Sequence, residues 1–118
     1  MTSVPAQVAA PADVAARIAR GIQRFGSPWK LTVLAYLLGP PLRFNEILRM
    51  GEADGLNART LSRTLRALAD QGLVNREVIG TQPVAVQYSL TEKGQHLRRL
   101  LAAFAESGED AALRDVQL

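Results

Sequence analysis

Four side chains with hydrogen-bonding capacity recur at helical spacing midway along the chain: Arg59, Ser62, Arg63 and Arg66. At about 100° per residue they share one side of a helix, while Leu61, Leu65, Leu68 and Gly72 fall on the other. A guanidinium is planar, permanently charged and carries its donors in a fixed fork, which suits a phosphate or the paired acceptors on a guanine edge. A serine hydroxyl can donate to or accept from either base edge. No acid interrupts this face until Asp70. The chemistry on offer is recognition of an acceptor-rich polyanion, and the major groove of double-stranded DNA admits one such helix. Arg59 and Arg63, nearest the helix start, are the candidates for base contacts, and Arg66, further along, suits a phosphate. Asn57 is the expected N-cap, and the free amides that follow it, with Thr60, complete an anion-facing helix terminus. The bland alternative is an arginine face that only keeps the helix soluble.

Other chemistries find no support. The 118 residues contain no cysteine, which removes disulfides, thiolate nucleophiles and thiol-based switches. His96 is the sole histidine and has no companion ligands, so no metal is expected. Glu46, Glu52 and Asp54 form no acid–base pair, and the glycines form no phosphate-cradling motif. No catalytic residue or cofactor is indicated, and the chain does not read as an enzyme. Trp29 beside Lys30 can line an effector pocket, although a core tryptophan is the simpler reading, and no effector can be named. No apolar run approaches the roughly 20 residues needed to span a membrane. Met1 to Ala12 lack the features of a leader peptide, so a cytoplasmic location is expected.

Charge supports the arginine face. The net charge is +3, and residues 57–99 carry seven basic against three acidic side chains, leaving −1 for the remainder. Only Lys30 and Lys93 are lysines, so a genome rich in arginine codons is a competing explanation for the basic balance. Hydrophobic residues make up 47% and only six are aromatic, which predicts an aliphatic core built mainly by helices.

The elements that must position these residues can be read in order. Residues 1–12 are expected to be a loose tail, 13–107 one domain, and 108–118 a second tail. A helix is predicted over Ala12–Phe25, with Val14, Ile18, Ile22 and Phe25 on one stripe. Ser27-Pro28 starts a buried helix to Leu38, stopped by Gly39-Pro40-Pro41. A short helix over Phe44–Met50 precedes a polar loop, Gly51–Leu56, and the arginine helix spans 58–71. Beyond Gly72 the period changes to two: Val74, Arg76 and Val78, then Val84, Val86, Tyr88 and Leu90, joined by a turn at Gly80-Thr81-Gln82-Pro83. Thr91 caps a long last helix, Glu92–Ser107, with Leu97, Leu100, Leu101 and Phe104 on one face, and residues 111–118 are expected to add at most a frayed turn. The result is a mainly α chain with a small β-hairpin over 74–90: a helix-turn-helix with a wing. At the wing, Arg76, Thr81 and Gln82 are candidate DNA contacts, and an ordinary tight turn accounts for the tip equally well.

From Trp29 onward the sequence resembles the HxlR-type regulators, a winged-helix family near the MarR group. The resemblance rests on Trp29-Lys30-Leu31, Arg43 to Leu48, Leu61 to Leu68, Gly72-Leu73-Val74 and Val86 to Gly94, which cover about two-thirds of the chain in the expected order. It implies a homodimer joined through the first and last helices, acting on an inverted-repeat operator. Two departures stand out. The cysteine that many relatives carry before the tryptophan helix is absent, and Ala85 occupies a wing position where relatives often have arginine. On their own terms, Val14, Ile18, Ile22, Leu97, Leu100, Leu101 and Phe104 offer more apolar helix surface than one small core needs, and these are the expected dimer contacts. Two other readings remain: a winged-helix module that binds another protein, and a weakly specific architectural DNA coater.

Overall fold

The computed structural model describes residues 10–109. Helix α1 (Pro11–Phe25) opens on its proline and closes where Gly26 takes φ 59°, a left-handed conformation that costs glycine nothing. Ser27 Oγ accepts the amide of Trp29 at 3.2 Å and Pro28 occupies the first position of α2 (Pro28–Tyr36). That helix ends two residues earlier than its pattern suggests. The Leu37 amide is shared between the carbonyls of Val33 and Leu34, tightening the last turn ahead of Gly39.

The next helix, α2's neighbour α3 (Phe44–Glu52), overruns its expected end at Met50. Its first turn is stabilised by the Glu46 carboxylate, which accepts the Arg43 amide at 2.7 Å. The segment Gly51–Leu56 is not the polar loop expected from composition. The Leu56 amide donates to the Gly51 carbonyl at 3.0 Å, folding the chain back so that Leu56 is buried beneath it. A methyl group on Gly51 would stand 2.7 Å from Leu56 Cδ2, so only glycine fits. Helix α4 (Ala58–Asp70) then starts at Asn57, whose Oδ1 accepts the Thr60 amide at 2.9 Å. It closes at Gln71, with Gly72 at φ 76° turning the chain towards the sheet.

Strands β2 (Val74–Thr81) and β3 (Val84–Leu90) pair antiparallel, and a two-residue strand β1 (Leu42–Arg43), invisible in the sequence, adds to the far side of β3 in the order β1-β3-β2. Gly80 and Thr81 belong to β2, opposite Ala85 and Val84, so the turn is Gln82-Pro83 alone. Its peptide bond is cis. The expected alternation of buried and exposed residues holds only at the base, where Val74 and Leu90 are buried; Val78 and Val84, towards the tip, are exposed. Among the described residues, the outer part of the ribbon is left largely open, with Val78, Ile79 and Val84 exposed.

The long last helix is two. Helix α5 (Glu92–Gln95) and helix α6 (Arg98–Glu109) are separated at His96 and Leu97, whose amides donate to carbonyls three residues back rather than four. Gly94, just before the break, is buried where an added Cβ would run into the Leu73 carbonyl and Leu90, so α5 packs tightly on the base of the ribbon. The helix expected to end at Ser107 continues through Gly108 to Glu109. The turn expected over 111–118, and residues 1–9 of the first tail, lie outside the described residues.

One aliphatic core holds these parts: Val33 and Leu34 from α2 with Leu37 at its C-cap, Ile47 from α3, Leu56 from the turn, Leu61, Leu65 and Leu68 from α4, with Leu73, Val74, Leu90 and Leu101 closing it. Each fully buried side chain of this size contributes about 1.5–3 kcal/mol, so the six helical residues of the α2–α3–α4 group, with Leu37 at the C-cap of α2, dominate the docking of α4. Leu101, assigned from sequence to the dimer face, is instead buried in this core at 7% exposure. Half-buried Tyr36 donates its hydroxyl to the Met50 carbonyl at 3.4 Å; burial first, and the Asp54 charge second, push its pKa upward, so it stays neutral.

Candidate nucleic-acid interface

The face of α4 opposite the core is the arginine face. Leu61, Thr64, Leu65 and Leu68 are buried, whereas Arg59, Ser62, Arg63 and Arg66 are all exposed. Thr60 is half-buried, and its carbonyl accepts the hydroxyl of buried Thr64 at 2.8 Å, which disposes of the polar group on the inward side. Among the described residues, no hydrogen bond occupies the three guanidiniums. They keep their donors for an outside acceptor, and α4 keeps its leucines for the core.

Asn57 caps the helix with its own side chain, so the terminal amides that remain for an anion are those nearer Ala58 and Arg59. Helix α3, the Gly51–Leu56 turn and α4 make a helix-turn-helix, and α4 packs on β2 so that the ribbon stands beside it as a wing. Arg76 lies opposite Tyr88 and is exposed, as are Thr81 and Gln82 at the tip. Glu77 is engaged across the ribbon, accepting from Gln87 Nε2 at 3.0 Å.

Two basic residues counted in the charge of this region have structural work. Lys93 Nζ donates to the Gln71 carbonyl at 3.1 Å, and Arg98 donates to Gln95 Oε1 at 2.6 Å and to the Leu38 carbonyl at 2.8 Å, clasping α6 to the end of α2. Sequence reading missed both, because a cation that caps a distant helix end looks like any solvated cation until the chain is folded. It also missed Gln71, whose amide reaches Arg24 across 47 positions of sequence.

The remaining candidates lie on α1 and along the C-terminal α5–α6 segment. Ile18 (57% exposed), Ile22 (66%), Leu100 (37%) and Phe104 (56%) remain open, and with Leu31 and Pro28 they line an apolar groove of about 440 Å³ between α1 and α6. Val14 and Leu97 are half-buried, and Leu97 packs against the core. No group of three or more metal-ligating side chains occurs among the described residues. No helix among them is long and apolar enough to cross a membrane.

The sequence profile of the HxlR-like helix-turn-helix family matches residues 24–115. The chain belongs to that family. The resemblance seen in the motifs therefore holds, and it carries the fold with it: a mainly helical winged helix with a small antiparallel sheet. An HTH-type transcriptional regulator of Methanothermobacter thermautotrophicus is 42% identical over 88 residues, covering 75% of this chain and 66% of its own length. The HTH-type transcriptional regulator YvaP of Bacillus subtilis is 31% identical over 94 residues, covering 80% of this chain and 85% of its own. Among solved structures, the redox regulator HypR in its reduced form superposes with a TM-score of 0.74 at 32% identity, covering 84% of this chain and 94% of that one. The HxlR-like relatives are transcriptional regulators and not enzymes, and this chain is a winged-helix transcriptional regulator of their kind.

Proposed function

We propose that this regulator binds double-stranded DNA sequence-specifically as a homodimer, with α4 in the major groove and the β2–β3 ribbon as wing. One observation carries the reading: α4 buries Leu61, Leu65 and Leu68 while leaving Arg59, Ser62, Arg63 and Arg66 exposed on a single face. Arg59 and Arg63 read base edges, Arg66 and the amides after Asn57 meet phosphate, and Arg76, Thr81 and Gln82 follow the neighbouring backbone. The open groove along α1 and α6 supports self-association, since a second copy would cover Ile18, Ile22, Leu100 and Phe104. Two recognition helices about 34 Å apart then meet successive major grooves on one face of an inverted repeat.

HypR is a redox regulator solved in reduced and oxidised forms. These 118 residues contain no cysteine, so a redox response by thiol chemistry is closed to them and any signal reaches the helices by another route.

A gel-shift titration at several salt concentrations, with a duplex selected from random DNA and a scrambled control, tests the proposal. Preference for the selected duplex that persists as salt rises supports specific recognition. Equal binding to both with a steep salt slope would point to an architectural coater, and no binding at low salt to a protein-binding module.

A further inference from the structure

Helix α1 is tied to the recognition helix at one polar point. The carbonyl of Arg24, in the last turn of α1, accepts two donors: Lys30 Nζ at 3.1 Å and Gln71 Nε2 at 2.9 Å. Gln71 is the C-cap of α4. Its own carbonyl takes Lys93 Nζ from α5 at 3.1 Å, and the next carbonyl, of Gly72, takes the Thr91 hydroxyl at 2.6 Å. The end of α4 is thus clamped on the ribbon side by backbone acceptors, and on the α1 side by a single amide.

The other half of that amide is unusual. Gln71 Oε1 is buried and finds no donor among the described residues. A buried acceptor left without a partner costs stability, commonly about 1–3 kcal/mol. Arg24 does not need Gln71 for its own satisfaction either, because Lys30 already donates to the same carbonyl. A methionine of similar shape would remove the orphaned oxygen and leave no new polar group unpaired. Stability alone therefore gives no reason for glutamine here, and the tie itself does.

We infer that Gln71 is a positioning residue for DNA recognition: its bond to Arg24 sets the angle between α1 and α4, and hence the separation of the two recognition helices in a dimer. The inference rests on the dimeric DNA-binding reading above. Gln71 touches no base. It selects among operators by the spacing of their half-sites.

The test uses the full chain and its Gln71→Met and Gln71→Glu variants. Methionine keeps the bulk without a donor; glutamate keeps the shape and turns an oxygen towards the Arg24 carbonyl. Each is titrated against an isolated selected half-site and against inverted repeats whose spacer changes by single base pairs, and each is melted. The wild type should prefer one spacer. Both variants should bind the isolated half-site within about twofold of wild type, and Gln71→Met should melt at the same temperature or higher. The preference for the best spacer over its neighbours should fall about two- to tenfold, what one net hydrogen bond is worth. Spacer profiles unchanged in both variants, with wild-type preference intact, would overturn the role of Gln71 alone. A wild type indifferent to spacer and sequence would overturn the underlying dimeric reading as well.

Discussion

Arg63 lies one turn beyond Arg59 on the exposed face of α4, early enough in the helix to reach a base edge. Its fork can take both acceptors of a guanine, and a bidentate contact of that kind discriminates by about 1–3 kcal/mol. Arg63→Ala should therefore weaken binding to the selected operator by about that amount and relax preference at one base position, as read by titration against single-base variants. Equal loss on every duplex would reassign Arg63 to phosphate; no loss would remove it from the interface. The exposed set was legible from residue types because leucine and arginine separate cleanly at helical spacing. Leu101 was not: the same stripe holds Leu100 and Phe104, and which of the three turns inward depends on where α6 points after the break at His96 and Leu97.

Secondary structure was legible wherever its cause is local. The Ser27 and Asn57 caps, Pro28, Gly26 and Gly72 mark helix ends through chemistry contained in a few neighbouring residues. What escaped sequence reading depends on distant partners. Strand β1 exists because Leu42 and Arg43 find Tyr88 and Gln87, and two residues carry no period of their own. Leu56 is core because of Gly51, although its neighbours are polar. The interruption between α5 and α6 falls beside the close packing of Gly94 on Leu73, which nothing in the run of leucines announces. Gly94→Ala should drive its new methyl into the Leu73 carbonyl and destabilise the fold by about 1–3 kcal/mol, measured by thermal or urea unfolding. Unfolding indistinguishable from wild type would show that the base of the ribbon yields more easily than this packing implies.

For the molecule as a whole, the basic and apolar surfaces belong to different helices: arginines on α4, and Ile18, Ile22, Leu100 and Phe104 on α1 and α6. Phe104→Glu, at a side chain already 56% exposed, should leave the fold intact while placing a charge in the groove. Sedimentation should then report a dimer for the wild type and a monomer for the variant, and the variant's affinity for an inverted repeat should fall towards that for one half-site. A variant that still sediments as a dimer would move the interface elsewhere. The ribbon raises a separate matter of colloidal behaviour. β2 borders the sheet, so its outward amides and carbonyls form a template for a stray strand, and Val78 and Ile79 nearby are uncovered. Arg76 and Glu77 sit on that border, where charge opposes flush stacking of one ribbon on another. Neutralising both, as Arg76→Gln with Glu77→Gln, should make concentrated protein scatter light under conditions where the parent stays clear. Arg76, proposed as a DNA contact on the wing, would then have a second duty, keeping unbound copies from adhering to one another.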